Sequence, residues 1–219
     1  MIHFFQQFTP GVSAAFSDRE FEASKDLRPL LKTLGTDPER FCDLEQVHAD
    51  HVILAKKPFN RLQGDGLVTR EKGLALVIRS ADCASVFFFD PKTKSIGICH
   101  AGWRGIKRGI IPNTVQMLEK EFGSKPASLQ VAIGPAICPK CYEVGDEFES
   151  YFPKEVSRLG KKYFFDLKGA AKRQLIESGV AVGAINDPHL CTACSADRFF
   201  SARREGNETG RLLSAIVLK

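Results

Sequence analysis

The stretch Lys94-Ser-Ile-Gly-Ile-Cys-His-Ala-Gly-Trp-Arg-Gly105 joins a strand-like run to a helical pattern. Its first half is apolar and rich in residues that favour strands, as in a buried strand, and the helical pattern begins after Gly102 and Gly105. Small residues at such a turn let backbone N–H groups approach a ligand, and the start of a helix favours an anion. Arg104 adds a forked donor suited to phosphate or carboxylate, although a tight turn packed under Trp103 would leave the same pattern. The stretch predicts an α/β fold with a candidate site where a strand ends.

Three residues at or beside the ends of apolar runs are the leading candidates for chemistry: His48, Cys83 and His100. Two His and one Cys form a suitable ligand set for a catalytic zinc that keeps one position open. The same residues without metal suit a cysteine hydrolase, in which a thiolate paired with an imidazolium attacks an electrophilic carbon. Buried Cys and His residues that serve only the core are a third interpretation.

Length and composition favour one domain spanning 1–219. The chain has 219 residues, 43% of them hydrophobic, and a chain of this size buries roughly 70% of its unfolded surface. Apolar periodicity predicts a mixed β-sheet core flanked by helices, in the mixed α/β class. Strands are predicted near 2–8, 44–55, 66–69, 73–79, 85–90, 94–99, 128–133, 181–185, 198–203 and 211–218. Helices are predicted near 37–43, 105–122, 145–151 and 167–178, the first from the capping-box pattern Thr36-Asp-Pro-Glu39.

Charge and hydropathy limit the choice of partners. The net charge is +5, but the Lys and Arg residues are scattered along the chain instead of forming one block. Nucleic-acid binding would predict clustering, so an anionic small substrate is the better interpretation. No apolar stretch approaches the ~20 residues that span a bilayer, and the N-terminus does not resemble a secretion signal. We therefore expect a cytoplasmic protein with no membrane partner.

Four of the seven cysteines fall into two pairs, Cys138-Pro-Lys-Cys141 and Cys191-Thr-Ala-Cys194. Each pair has the spacing of ligands in a structural zinc site. Residues 142–190, 49 in all, separate the pairs and exceed the gap usual in a zinc ribbon. The sequence leaves two interpretations open: a second metal site, or loop thiols beside the cleft. Redox pairing is less favoured, because neither pair opens a clear βαβ helix.

Several motifs together resemble one known family. It is the laccase-domain family, whose members carry the labels multicopper polyphenol oxidase, purine nucleoside phosphorylase and peptidoglycan editing factor. The resemblance covers nearly the whole chain. The motifs that carry it are Gln46-Val-His48, Gly64-Asp-Gly-Leu-Val-Thr69, Ala81-Asp-Cys83, His100-Ala-Gly-Trp-Arg-Gly105, Ile133-Gly-Pro-Ala-Ile-Cys-Pro-Lys-Cys-Tyr-Glu-Val144, Phe199-Phe-Ser-Ala-Arg-Arg204 and Thr209-Gly-Arg211.

The resemblance implies a zinc enzyme in which His48, Cys83 and His100 are metal ligands and catalytic residues. It implies phosphorolysis of adenosine, inosine and methylthioadenosine to the free base and the (methylthio)ribose 1-phosphate, together with deamination of adenosine. The implied partners are a purine nucleoside and phosphate, in a monomer or homodimer, and the implied fold is similar to that of cysteine-hydrolase toxins. The sequence departs from the family pattern at Cys99, at Ala84-Ser85 and at Ala202, which bears on the shape of the pocket.

Substrate binding is predicted for several residues near these motifs. Phosphorolysis needs a cradle for phosphate and a means of polarising the departing base. Arg104, Arg203 and Arg204 are candidates for that cradle, and Arg79 is a further one. Asp82, next to a candidate ligand, is predicted to orient that ligand or to act as a base.

Copper is less favoured than zinc. A copper electron-transfer site built from two His and one Cys usually takes a weak axial Met, and the chain has only Met1 and Met117. Five His residues are also too few for a multicopper oxidase. The alternatives to a zinc nucleoside enzyme are a cysteine hydrolase acting on an amide or peptidoglycan-precursor link, a copper polyphenol oxidase, and a metal-stabilised binding protein.

Overall fold

Two six-stranded sheets form the centre of the computed structural model, which describes residues 2–5, 8, 11–21 and 26–219. The strands are β1 (Ile2–Phe4), β2 (Val12–Ser17), β3 (Phe41–Glu45), β4 (Val52–Leu54), β5 (Phe59–Gln63), β6 (Gly66–Thr69), β7 (Ala75–Ser80), β8 (Ala84–Asp90), β9 (Ser95–Ala101), β10 (Gln130–Ile133), β11 (Glu143–Val144), β12 (Val156–Leu159), β13 (Lys162–Phe165), β14 (Ile185–Asn186) and β15 (Leu212–Leu218). The helices are α1 (Arg28–Thr33), α2 (Trp103–Arg108), α3 (Ile110–Phe122), α4 (Glu147–Tyr151), α5 (Leu167–Glu177) and α6 (Ala202–Glu205).

Strand pairing is mixed, which confirms the predicted fold class. One sheet has the order β1-β2-β15-β7-β3-β5, the second β14-β10-β8-β9-β6-β4, and a small third sheet β11-β13-β12. Strand β3 pairs in parallel with both β5 and β7, whereas β8 and β9 form an antiparallel pair. No helix among the described residues is long and apolar enough to cross a membrane.

The three consecutive phenylalanines of β8 show how the two large sheets and the helices pack. Successive side chains of a strand point to opposite faces. Phe88 joins the core shared with α2, α3 and α5, while Phe87 and Phe89 join the core between the two sheets. A third core lies between α1 and the outer face of the first sheet. The molecule therefore has four layers, and β8 and β9 are covered on both faces.

Two predicted helices differ from the structure. The helix predicted over 105–122 divides at Gly109, whose φ of 95° ends α2 and precedes α3. Glycine adopts this left-handed conformation without a steric penalty. The helix predicted over 37–43 is wrong: the Asp37 side chain accepts the N–H of Glu39 in a turn, and β3 begins at Phe41.

Two predicted strands are wrong in part or in full. The strand predicted over 44–55 is interrupted by a loop, residues 46–51, between β3 and β4. The strand predicted over 198–203 is absent, because the Ser201 hydroxyl accepts the N–H of Arg204 and caps α6 instead. Within the predicted strand 181–185, a single 3-10 turn precedes β14. Within the predicted strand 2–8, β1 ends at residue 4, and residues 6 and 7 lie outside the described part of the chain. Elements that the sequence did not predict are α1, β2, β5, β11, β12 and β13.

Candidate metal and substrate site

The fold brings together the three residues predicted as ligands. His48 lies in the loop after β3, Cys83 directly before β8, and His100 near the end of β9. The antiparallel register sets Ser85 of β8 opposite His100, so Cys83 lies beside the end of β9. One potential ligand atom from each of the three residues lies within 4.8 Å of the other two. Side chains from three separate segments thus converge on one point.

A buried carboxylate, Asp65, positions both histidines. Its two oxygens accept backbone N–H groups from Val47, His48 and Ala49 at 3.1, 3.1 and 2.8 Å. One of these oxygens also lies 2.8 Å from Nδ1 of His100. Burial alone would raise the pKa of Asp65, but the hydrogen bonds from His100 and the backbone lower it below its usual value. The ionised carboxylate therefore holds the His48 loop, where His48 adopts a φ of 57°, against the His100 ring.

The three side chains fit a zinc ion. Imidazole and thiolate groups are the donors that zinc prefers, and three protein ligands leave a position open. Because Nδ1 of His100 faces Asp65, Nε2 is the nitrogen available to a metal, an arrangement common around metal-binding histidines. An axial methionine for copper is not found in the described part of the chain, since Met117 lines a separate surface pocket and Met1 is not described. The three side chains therefore form a possible metal-binding group.

The same contacts make Cys83 an acidic thiol. Burial disfavours its thiolate, but the charge and hydrogen bond of His100, with a smaller contribution from His48, lower the pKa of Cys83 to about 6. Burial likewise disfavours a charged His100, and the Cys83 thiolate and Asp65 raise its pKa to about 9. The thiolate is the form that binds metals and the form that attacks carbon. These electrostatics therefore suit both a metal site and a nucleophile.

A cavity of about 380 Å³ opens over the three candidate ligands. Trp103 and Tyr142 give it aromatic walls. Burial and the nearby Cys83 raise the pKa of Tyr142 above its usual value, so its hydroxyl stays protonated at neutral pH. The volume lies within the ~300–1,000 Å³ range of small-molecule pockets. The cavity therefore has the size and the lining of a small-molecule site.

Three arginines give the cavity a positive rim. Arg104 stacks over Trp103 with its guanidinium carbon 4.5 Å from the ring centroid, and Arg203 stacks over Tyr142 at 5.2 Å. Arg211 also lines the cavity and donates hydrogen bonds to backbone carbonyls of its own turn. Three guanidinium groups around one opening favour an anion such as phosphate.

Two arginines predicted to bind substrate, Arg79 and Arg204, are not among the residues that line the cavity. Arg79 forms an ion pair with Asp43 on the neighbouring strand β3 and does not line the cavity. Arg204 donates to the backbone carbonyls of Thr192 and Ala193, both at 2.8 Å, and does not line it either. Their guanidinium groups are already occupied by contacts that hold the fold. Binding of substrate by Arg79 and Arg204 stays a prediction.

Asp82 lines the cavity, but both of its carboxylate oxygens are engaged. One accepts the hydroxyl of Thr192 at 2.6 Å and the other the backbone N–H of Arg203 at 2.7 Å. Its φ of 87° is rare for a residue with a side chain and indicates local strain. Asp82 thus links the turn that carries Cys83 to the C-terminal part of the cavity wall. This placement favours the orienting role predicted for Asp82 over the role of a base.

Sequence reasoning gave no site role to Asp65, Tyr142 or Arg211. All three belong to motifs that carry the family resemblance, but only the folded chain brings them to the site. The available signal was strongest for Asp65, an acidic residue between two glycines directly before the apolar strand β6. An acidic side chain in such a position has to find a buried partner, which here is His100.

Gly102 approaches the candidate ligands so closely that we expect Gly102→Ala to weaken metal binding. A Cβ atom here would lie 2.8 Å from Sγ of Cys83 and 3.2 Å from Cδ2 of His48. The backbone itself tolerates alanine, because φ is −78°. We expect zinc affinity to fall at least about tenfold, the lower limit for disturbing the surroundings of metal ligands. Competition with a chelating dye measures the affinity. Gly183→Ala is the matched control, since a Cβ at Gly183 meets nothing within 4 Å, and equal affinities in both variants would contradict the prediction.

The fold and the site define an α/β protein with a candidate His-Cys-His metal centre beneath an arginine-rimmed cavity. Residues 6–219 match the family model described as multi-copper polyphenol oxidoreductase laccase, so the chain belongs to this family. The resemblance seen in the sequence motifs is thereby confirmed.

Relatives of the chain carry enzyme names. A purine nucleoside phosphorylase from Bacteroides thetaiotaomicron is 38% identical over 208 residues, which cover 86% of this chain and 77% of the relative. The adenosine deaminase RL5, from an unknown prokaryotic organism, is 31% identical over 209 residues, 87% of this chain and 79% of the relative. The crystal structure of YlmD from Geobacillus stearothermophilus superposes with a TM-score of 0.89 at 29% identity, covering 98% of this chain and 94% of that one.

Proposed function

We propose that the protein is a zinc-dependent purine nucleoside phosphorylase that also deaminates adenosine. The observation that carries the proposal is the convergence of His48, Cys83 and His100 at the floor of a cavity whose rim holds three arginines. The names of relatives that are 31–38% identical support the same reaction classes. Adenosine, inosine and methylthioadenosine are the proposed substrates, with the free base and the (methylthio)ribose 1-phosphate as products.

In phosphorolysis a phosphate oxygen forms a bond to ribose C1′ while the bond from C1′ to the purine nitrogen breaks, and the departing base takes up a proton. Arg104, Arg203 and Arg211 would bind and orient the phosphate at the cavity rim. The rings of Trp103 and Tyr142 offer surfaces against which a purine can stack. The Tyr142 hydroxyl, like that of any tyrosine with an ordinary or raised pKa, is protonated at neutral pH and would donate a hydrogen bond to the substrate.

Metal binding is the task proposed for the three converging side chains. His48, Cys83 and His100 would hold the zinc, with Asp65 fixing the orientation of the His100 ring. The zinc would supply Lewis-acid polarisation of the substrate and activation of water for deamination. The walls formed by Trp103 and Tyr142 would exclude bulk water from the reacting atoms.

A second candidate function is a metal-free cysteine hydrolase. The observation that favours it is the pKa of about 6 for the Cys83 thiol, which the neighbouring His100 lowers although burial opposes this. In this mechanism the Cys83 thiolate would attack the carbonyl carbon of an amide or peptidoglycan-precursor link, and His100 would donate a proton to the departing amine. Water would then hydrolyse the thioester on Cys83, releasing the carboxylic acid and regenerating the thiolate and the protonated His100. Both candidates need Cys83 and His100, whereas only the zinc mechanism needs His48, so mutation of His48 separates them.

A nucleoside panel tests the proposed reaction. Purified protein is incubated with adenosine, inosine and methylthioadenosine, with and without inorganic phosphate, and the products are separated by chromatography. We expect release of the purine base only when phosphate is present, and deamination of adenosine in both conditions. No base release from any of the three nucleosides would contradict the proposal.

Arg104→Ala is expected to weaken phosphorolysis while leaving the metal content unchanged. Loss of a charge-assisted contact costs about 1.5–3 kcal/mol, which corresponds to a decrease in kcat/KM for phosphate of roughly 10- to 150-fold. Steady-state kinetics at varied phosphate measure the change, and elemental analysis measures the metal. Lys107→Ala is the matched control, because Lys107 is an exposed cation on the same helix that does not line the cavity. Equal phosphate dependence in both variants would argue against a role for Arg104 in binding phosphate.

A further inference from the structure

Four cysteines outside the candidate active site converge at one point. Sγ of Cys194 lies 3.3 Å from Sγ of Cys141 and 3.8 Å from Sγ of Cys138. With Cys191 included, all four sulfur atoms lie within 4.8 Å of one another. The two pairs are far apart in sequence, but a parallel β-bridge between Ala136 and Cys191 holds their segments side by side. The fold therefore brings the two cysteine pairs together, although the gap between them in sequence is longer than in a zinc ribbon.

The sulfur positions match the geometry of a tetrahedral metal site. Zinc–sulfur bonds of about 2.3 Å in a tetrahedron set the sulfur atoms about 3.8 Å apart. The separations given above bracket this spacing. Backbone N–H groups of Cys138 and Cys194 also point at Sγ of Cys191, at 3.3 and 3.4 Å, as they would toward a thiolate that binds a metal. Cys194 is exposed, so an ion can reach the cluster from solvent.

We propose that Cys138, Cys141, Cys191 and Cys194 bind a structural zinc ion, distinct from the ion proposed at the His48, Cys83 and His100 site. Four thiolates complete the coordination of zinc and leave no open position, so this ion takes no part in the reaction. None of the four cysteines lines the substrate cavity.

The proposed ion would stabilise one wall of the substrate cavity. Ile137 directly precedes the first cysteine pair, Tyr142 directly follows it, and both line the cavity. On the other segment, Thr192 lies next to Cys191 and donates its hydroxyl to Asp82. Cross-linking the two segments through one ion fixes the backbone on both sides of the wall. We infer that loss of this ion loosens the wall and lowers the thermal stability of the fold.

Elemental analysis of the full-length protein, purified under reducing conditions, tests the proposal. We expect the double variant Cys138→Ser/Cys141→Ser to hold one zinc fewer per chain than the wild type. Lys140→Ser is the matched control, because Lys140 is exposed and lies between the same two cysteines. It should retain the wild-type zinc content and unfolding temperature. The zinc difference between the double variant and the wild type does not depend on whether the other site is filled, so failure here is distinguishable from failure of the proposed function.

Equal zinc content in the double variant and the wild type would overturn the proposal, as would iron in place of zinc. A measurement on the wild type alone covers the case in which the double variant does not fold. Native mass spectrometry should show the four thiols reduced, with one zinc released as a thiol-specific reagent modifies them, and peptide mapping of the modified protein distinguishes these thiols from Cys83. A mass lower by two hydrogens for each disulfide, without release of zinc, would assign the cluster to disulfide bonding and also overturn the proposal.

Discussion

Cys83→Ala is expected to strip zinc from the proposed active site and to eliminate phosphorolysis. Removal of this thiolate leaves two protein ligands, fewer than the three that catalytic zinc normally has. Affinity for zinc should fall by more than the 10- to 100-fold typical of losing a residue that only supports a ligand. His48→Ala should have the same effect, because it also leaves two ligands. Elemental analysis and the phosphorolysis assay on each variant measure both losses.

Cys99→Ala is the matched control for this experiment. Cys99 is a buried thiol in β9 directly before His100, but it is not part of the candidate ligand group. We expect Cys99→Ala to keep both zinc and activity. If Cys83 is instead a nucleophile, Cys83→Ala will be inactive with unchanged zinc content, and His48→Ala will retain substantial activity. That pair of results would replace the zinc mechanism with the cysteine hydrolase.

Asp65→Asn is the second variant for which we expect a large effect. The carboxylate accepts three backbone N–H groups and contacts His100, and an amide in its place turns an NH₂ group toward donors. Breaking a buried ion pair costs about 3–5 kcal/mol in the free energy of unfolding. We also expect zinc affinity to fall roughly 10- to 100-fold. Chemical denaturation and dye competition measure the two effects.

A buried acid distant from the site provides the control for Asp65. Asp90 ends β8 and is fully buried, and its side chain accepts only the backbone N–H of Lys92 among the hydrogen bonds described. Asp90→Asn should leave zinc affinity unchanged. Because the pKa of Asp65 is lowered by folding, its stabilising effect is present above the ordinary Asp pKa and is lost as the pH falls through the lowered value. If Asp65→Asn bound zinc as tightly as Asp90→Asn, the proposed positioning role would be wrong.

Local sequence patterns predicted the centre of the fold well. The apolar runs of β8 and β9, and Gly102 at the start of α2, were visible because strand alternation and turn chemistry are local. The loop that carries His48 was not visible, since the apolar residues on either side read as one strand over 44–55. Residues from other segments hold this loop: Asp65 accepts three of its backbone N–H groups, and Arg108 and Asn113 donate to its carbonyls. Similarly, Phe199 suggested a strand but is buried by packing between the sheets.

The motifs contain all three candidate ligands, whereas the structure brings only two of the four arginines predicted to bind substrate to the cavity. Arg104 and Arg203 line the cavity, but Arg79 and Arg204 contact other parts of the fold. The sequence around an arginine does not predict which group its guanidinium contacts, because that group comes from another segment. The cluster of four cysteines shows the same limit, since the bridge between Ala136 and Cys191 sets its geometry. Monomer or homodimer, and the cytoplasmic location, stay predictions.

Removal and return of zinc in the wild-type protein test the central claim most directly. Release of adenine from adenosine in the presence of phosphate is measured on protein as purified, after chelation, and after addition of zinc, with the zinc content determined at each stage. We predict that activity falls as the zinc bound by His48, Cys83 and His100 is removed, and that one equivalent of zinc at that site restores it. Full phosphate-dependent activity in protein that holds no metal would contradict the account.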